Sequence, residues 1–470
     1  PMPLGVRTSA GWTIVRADAL LDDQWVEVRT SEEPQEVRLD PLRTTEDWDR
    51  RNDVGNRRLF YDARVQQFVF DWPFLEQADR DRQIIAVTPL AWYSSTGGLN
   101  VGLRTRSNYL GSVDRVEGGL AYALRSARYT GAGATDARAN SFTRLQGWMR
   151  VENPRMWWSA TPVMGFGWGL AALDGIAKGD VHRTWDDSPH PLAGGSRIAH
   201  ALALTASFPY ESKWLDFRRF TDVATADASG ELTWRSGLSA TSPSVRALAM
   251  GGYLAGQHVD EVGGHFLRRA ELELKKLTAL TDDGSTALFT RVFVAGAWDS
   301  PLQRSVGLSA LDLTETFSNH LLRPTGSPFS PDNERDIHYT ALGGFALRGY
   351  SPLLRLSDDV GASANVEVAR ALVDLIGKSQ GVAALRIWLS VFGDVGTPMR
   401  ARLGESGSVR ITPADAGVGI ALRGTLYDRD VHVRAEFPIW VRQPALAVGR
   451  DLAKLAQSQF RWTISLNELW

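Results

Sequence analysis

The chain has 470 residues, a formal net charge of −2 and no cysteine, which excludes a disulfide framework, a thiolate nucleophile and Cys-ligated zinc. A near-neutral balance also lacks the basic excess that a phosphate-binding surface requires, so nucleic acid is not a partner. Hydrophobic residues make up 43% of the chain, with 17 Trp and 44 Gly, against 23% charged residues; these figures are compatible only if apolar side chains are spread in alternation over many short segments.

Residues 1–80 differ from the rest. The runs Trp12–Ala17, Gln24–Thr30 and Glu36–Leu39 are separated by acidic and Pro-containing turns, the pattern of a small β-rich module. Asp40 through Asp53 has little apolar content and reads as a loop or linker; its acids lack EF-hand spacing and the required Gly, so they are those of a solvated turn. The opening Pro1-Met2-Pro3-Leu4-Gly5 carries no basic-then-apolar signal, so export would need a signal already removed or residues upstream.

From residue 83 onward the sequence reads as sixteen strands, at 83–93, 97–109, 113–125, 141–151, 157–171, 178–187, 196–208, 227–239, 244–256, 266–279, 286–298, 361–374, 382–395, 412–424, 429–442 and 458–470. The connections tend to alternate between long, as at 126–140, 209–226 and 299–360, and short, as at 110–112, 240–243 and 425–428. Outer-membrane barrels have that asymmetry. The uncharged run Met156–Leu173 approaches the ~18 residues of a spanning helix, but Trp158, Ala160, Pro162, Met164, Phe166, Trp168 and Leu170 alternate with small or hydroxylated residues. Period two with a central Pro is a strand pattern.

Three late strands show the two faces most clearly. In 382–395, Leu385, Ile387, Leu389 and Val391 oppose Arg386, Trp388, Ser390 and Asp394; in 412–424, Ala416, Val418, Ile420 and Leu422 oppose Asp415, Gly417, Gly419 and Arg423. In 429–442, Val431, Val433, Ala435, Phe437, Ile439 and Val441 oppose His432, Arg434, Glu436, Trp440 and Arg442. A soluble core has no place for such inward charge, whereas a watery lumen accepts it. The segments 265–280 and 364–378 also carry apolar residues at helical spacing, and context assigns both as strands. The expected fold is therefore all-β: a sixteen-stranded antiparallel transmembrane β-barrel at 83–470, preceded by a periplasmic β-rich module at 1–80.

The last segment, with Phe460, Trp462, Ile464, Leu466 and the terminal Trp470, looks like the C-terminal assembly signal of outer-membrane barrels, although Glu468 departs from it. Leu347-Arg348-Gly349-Tyr350, Glu367 and Phe392-Gly393-Asp394-Val395-Gly396 together resemble the surface-antigen barrel superfamily, which includes the barrel-assembly insertase and the two-partner secretion transporters. In that family a long loop after the eleventh strand carries an aliphatic-Arg-Gly-aromatic tetrad, the next strand a Glu and the thirteenth an aromatic-x-Asp-x-Gly. The physical expectation stands beside the resemblance. A guanidinium folded into a partly dehydrated lumen is costly unless carboxylates pair with it, so Arg348 should meet Asp394 and Glu367, and Gly349 should let the backbone approach the wall. Arg355, on the same loop, is expected to be the dispensable one.

Residues Trp25-Val26-Glu27-Val28 and Pro34 through Pro41 are similar to the closing β-domain of gluzincin aminopeptidase-like proteins. That resemblance implies a peptidase domain upstream and a barrel serving as its membrane anchor. The chain has no H-E-x-x-H, so it holds no zinc site of that kind. His258 and His265, like His182, Asp186, Asp187 and His190, read as loop residues without a third convergent ligand. No catalytic, cofactor-binding or metal-binding residue is expected, and no cofactor. The expected partners are the outer-membrane bilayer of a Gram-negative-type bacterium, the barrel-assembly machinery during biogenesis and an upstream peptidase domain or periplasmic partner. The alternative reading is a protein-translocating or barrel-inserting pore.

Overall fold

The computed structural model describes residues 2–17, 25–42, 44, 65–71, 79, 82–94, 98–109, 113–124, 144–152, 164–173, 175–186, 196–210, 221–237, 242–256, 259, 264–309, 343–350, 354–379, 383–403, 407–426, 429–442 and 463–465. Three short strands open the chain: β1 (Met2–Thr8), β2 (Gly11–Ala17) and β3 (Glu36–Leu39), joined in the order β2–β1–β3. This antiparallel sheet is held by the Val6↔Thr13 and Val6↔Val37 pairings around the buried Val6; two of the three expected runs, at Trp12–Ala17 and Glu36–Leu39, are strands, whereas residues 25–30 form none and the central strand β1 was not expected.

The barrel follows, with β4 (Val65–Phe70), β5 (Arg82–Ser94), β6 (Gly98–Tyr109), β7 (Val113–Ala123), β8 (Leu145–Glu152), β9 (Met164–Leu173), β10 (Ile176–Asp186) and β11 (Arg197–Pro209). It continues through β12 (Ala224–Arg235), β13 (Ser244–Ala255), β14 (Phe266–Ala279), β15 (Thr286–Trp298), β16 (Leu354–Leu356), β17 (Asp359–Ser379), β18 (Ala383–Gly396), β19 (Met399–Leu403) and β20 (Val409–Ile411). The last are β21 (Ala414–Leu426), β22 (Arg429–Val441) and β23 (Thr463–Ser465). β16, β19 and β20 form a separate three-stranded sheet within the long connections, and β4 lies parallel to β5. The other sixteen pair antiparallel with their neighbours in sequence order, β15 meeting β17 and β18 meeting β21.

Those sixteen are the strands expected from the alternation. β14 and β17, whose apolar residues also fit a helical spacing, are strands because the wall needs their backbone groups: Leu272 pairs with Ala247 on one side and Val294 on the other. On β14, Phe266, Leu272 and Leu274 are exposed while Leu267, Arg269, Glu271 and Glu273 are buried. The same division holds for exposed Leu389, Val391 and Val395 against buried Ser390, Phe392 and Asp394 on β18. Apolar residues thus lie outside and charges inside, the reverse of a soluble core.

The inward assignments of Trp440 and Arg442 and the outward assignment of Val441 are overturned. Between β21 and β22 the register moves from Ala416↔Trp440 to Gly417↔Pro438, leaving Ile439 unpaired. The extra residue reverses the alternation beyond it. Ile439 and Trp440 are consequently both exposed, at 65% and 55%, and Val441 rather than Trp440 turns toward the interior cluster.

Candidate functional site in the barrel interior

The connection from β15 to β17 turns back into the barrel. Its two described limbs pair with each other: Leu347 N donates to Leu308 O at 2.9 Å, Leu308 N to Leu354 O at 3.0 Å and Leu356 N to Val306 O at 2.8 Å. The alternate apolar residues of these limbs, Val306, Leu308, Phe345 and Leu347, are fully buried against Phe293 of β15 and against Met399, Ala401, Val409 and Ile411 of β19 and β20. This apolar packing fixes the limbs, and the limbs in turn aim the polar residues between them at the wall.

Arg348 is the centre of that polar set. Its Nε and Nη2 donate to the two oxygens of Asp394 on β18, each at 2.8 Å, and its Nη1 donates to Glu367 Oε2 on β17 at 2.7 Å and Glu436 Oε1 on β22 at 3.1 Å. The guanidinium carbon lies 3.7 Å from the centre of the Phe392 ring. A bidentate fork with a stacked face is the arrangement that suits arginine and that lysine cannot reproduce. Arg434 brings a second cation, with Nη2 at 2.8 Å from both Glu367 Oε2 and Glu436 Oε1. Arg348, Glu367, Asp394, Arg434 and Glu436 are each no more than 3% exposed; two cations against three carboxylates therefore share their charge where water cannot.

The neighbouring residues hold this set in place. Asn365 Nδ2 donates to Asp394 Oδ1 at 3.0 Å and to the carbonyl of Ala346 at 3.1 Å, while Arg291 donates to Asn365 Oδ1 at 3.0 Å and Gly344 O at 2.6 Å. Ala346 sits at φ 50°, a left-handed conformation that costs a non-glycine residue roughly 1–2 kcal/mol, and the two bonds around it retain that turn. Gly349 is required for a different reason. A Cβ there would lie 2.6 Å from Val441 Cγ2 and 2.8 Å from Asp415 Cβ. Tyr350 donates its hydroxyl to Arg442 O at 2.7 Å and accepts from Ala414 N at 3.1 Å; burial pushes its phenol up to about 12, so it remains a donor.

The other limb is fastened to the opposite part of the wall. Arg304 Nη2 lies 2.6 Å from Asp227 Oδ2 of β12, both nearly fully buried, and Arg269 of β14 donates to Arg304 O at 2.9 Å. Gln303 and Thr221 exchange two further bonds, at 3.0 and 3.2 Å. The described contacts of the connection therefore extend from β12 to β22.

All five residues expected to meet in the interior, Arg348, Gly349, Tyr350, Glu367 and Asp394, do so. Arg434 and Glu436 were legible as inward-facing residues of their strand, but their place beside Arg348 is set by strand register, which composition does not reveal. Arg355, the arginine of the same loop expected to be dispensable, is fully buried in β16. His182 and Asp186 are on β10 rather than in a loop, with His182 Nε2 3.0 Å from Glu152 Oε2. His265 stacks on Tyr253 and its Nδ1 lies 3.2 Å from Leu254 O. His258, Asp187, His190, and the C-terminal Phe460, Trp462 and Trp470 lie outside the described residues. Among the described residues, no His, Asp or Glu group has the arrangement of a metal site.

An apolar exterior around a charged interior, into which the described limbs of a long connection fold, is a transmembrane arrangement. The chain is an outer-membrane β-barrel. No family model matches it, and no curated protein matches it in sequence. Among solved structures it is similar to CdiB from Escherichia coli, at 11% identity and a TM-score of 0.43 over 84% of this chain and 62% of that one. It is also similar to BamA from Haemophilus ducreyi lacking POTRA domains 1–3, at 12% identity and 0.38 over 82% and 70%, and to a bacterial polysaccharide outer membrane secretin, at 10% identity and 0.35 over 77% and 90%. The chain thus spans about three fifths of the CdiB chain's length. At these identities and scores, the role of each residue rests on the geometry above.

Proposed function

We propose that this barrel is a pore of the protein-translocating or barrel-inserting type, whose lumen is occupied by its own long connection. The supporting observation is the Arg348 centre: one loop guanidinium bonded to carboxylates on β17, β18 and β22. Burying five charges is costly, and apolar residues of equal volume would give as much stability or more. Such a cluster is favoured where a loop must be held in one position inside a polar channel, as a pore demands. A barrel acting only as an anchor for an upstream peptidase domain has no comparable need, and that reading draws its support from sequence resemblance alone.

The experiment uses the purified protein in lipid vesicles. A urea-denatured outer-membrane barrel substrate is diluted into them, and its folding is followed by the heat-dependent shift in gel mobility; vesicles are also assayed for uptake of an unfolded secreted polypeptide. Faster folding or uptake than in empty vesicles supports the pore reading. Rates equal to those of empty vesicles in both assays sink it and return the barrel to an anchoring role.

A further inference from the structure

Strand register sets out two adjacent rows of outward side chains across β9 to β14. In one, Gly179, Ala206 and Ala226 lie between Leu170 and Tyr253; in the next, Ala228 and Gly251 lie between Leu204 and Arg268. The central residues have almost no side chain, while Leu170, Leu204, Tyr253 and Phe266 stand out at 50–65% exposure. The result is a groove of about 920 Å³ in a surface that faces hydrocarbon. Groove side chains on this face are apolar, since Asp180 and Asp227 of the same strands point inward with the alternation.

The second row ends in a charge. Arg268 pairs across the ladder with Gly251 and its side chain is 67% exposed. Its described polar contact is one bond from Nη2 to Asp299 Oδ2 at 3.2 Å, which engages one of the five guanidinium N–H groups. Arg268 is the third residue of β14, counted from the end that carries the long connections. That is roughly 7 Å inside the strand end, within reach of the headgroup layer for a long side chain that extends its charge toward water. A lipid-facing arginine is costly in hydrocarbon and tolerated near the interface, where a phosphate is its natural counter-ion.

We propose that this face binds one anionic phospholipid-type molecule of the surrounding bilayer, with an acyl chain in the groove and its phosphate on Arg268. The inference rests on the membrane placement of the barrel and not on its pore activity. Apolar depth and a terminal guanidinium match a lipid's two parts in the order that the membrane presents them. A second copy of the barrel would offer a convex apolar face with no anion for Arg268.

Native mass spectrometry of the detergent-solubilised full chain tests the site, with dioleoylphosphatidylglycerol and dioleoylphosphatidylcholine as probes. The wild type should retain one phosphatidylglycerol at roughly tenfold lower lipid concentration than phosphatidylcholine, the scale of one charge-assisted bond. Arg268→Gln should abolish that preference. Gly251→Leu should weaken retention of both lipids, because a Cβ at Gly251 meets no atom of the protein within 4 Å and the leucine fills the groove without disturbing the wall. Equal retention of the two lipids by the wild type, unchanged retention in either variant, or a lipid-free dimer disrupted by Gly251→Leu would overturn the proposal. Loss of the heat-dependent gel shift in the wild type would instead overturn the membrane placement itself.

Discussion

Arg348 ties the connection to carboxylates on β17, β18 and β22, and its replacement separates charge from geometry. Removing one partner from a buried ion cluster costs about 3–5 kcal/mol, because the remaining carboxylates of Asp394, Glu367 and Glu436 are left without their cation. Arg348→Ala should therefore reduce the heat-shifted, folded fraction sharply, and Arg348→Lys should fall between that variant and the wild type, since it keeps the charge and loses the bidentate fork. The proper control is Arg410→Ala, an exposed position on β20, rather than Arg355, which is buried. Yields equal to the control would remove Arg348 from the account. Gly349 tests the backbone approach without altering charge: the added methyl of Gly349→Ala meets Val441 and Asp415 at 2.6 and 2.8 Å, and overpacking of that kind costs about 1–3 kcal/mol. A urea midpoint unchanged by Gly349→Ala would show that the loop stands off from the wall.

At the scale of strands, alternation told which face each residue takes, and a single inserted residue marks where it failed. Arg434 and Glu436 face inward as their positions in the sequence suggest, but two residues after Pro438 the rule inverts, because Ile439 is extra and has no partner on β21. Nothing in Pro438-Ile439-Trp440-Val441 announces a bulge; an unbroken alternation was equally consistent with the residue types. The bulge is what brings Val441 against the loop cluster and keeps Trp440 on the lipid side. Deleting Ile439 leaves Pro438, Trp440 and Val441 opposite Gly417, Ala416 and Asp415 in unbroken alternation, with Trp440 still outside and Val441 still inside, so the deletion should fold about as well as Ile439→Ala, which loses only lipid-facing surface. A folded fraction for the deletion far below that of Ile439→Ala would mean that the wall needs the bulge itself and not only the facing it sets. β14 and β17 teach the complementary point. Their helical spacing is real in the sequence, yet it is overridden by neighbouring strands whose hydrogen-bonding groups need partners in the membrane.

For the whole molecule, Glu367 and Asp394 could be expected beside Arg348 from the resemblance that links the three, whereas Arg304 and Asp227 are 77 positions apart with no pattern to link them. Their pairing follows from the path of the connection across the barrel, from β12 on one side to β22 on the other. A loop tethered at both ends of that path behaves differently from one held at a single point. If only Arg304→Ala is made, the limb at Arg348 still holds the connection inside; if only Asp394→Asn is made, the limb at Asp227 does. Each single variant should therefore raise ion conductance in a planar bilayer modestly. The double variant should raise it by more than the sum of the two, since the contacts act on one body and distant independent sites would simply add. Each variant must first show the heat-dependent gel shift, so that a misfolded barrel is not counted as an open one. Additive conductances in folded variants would show that the two limbs move independently and that the connection does not act as a single plug.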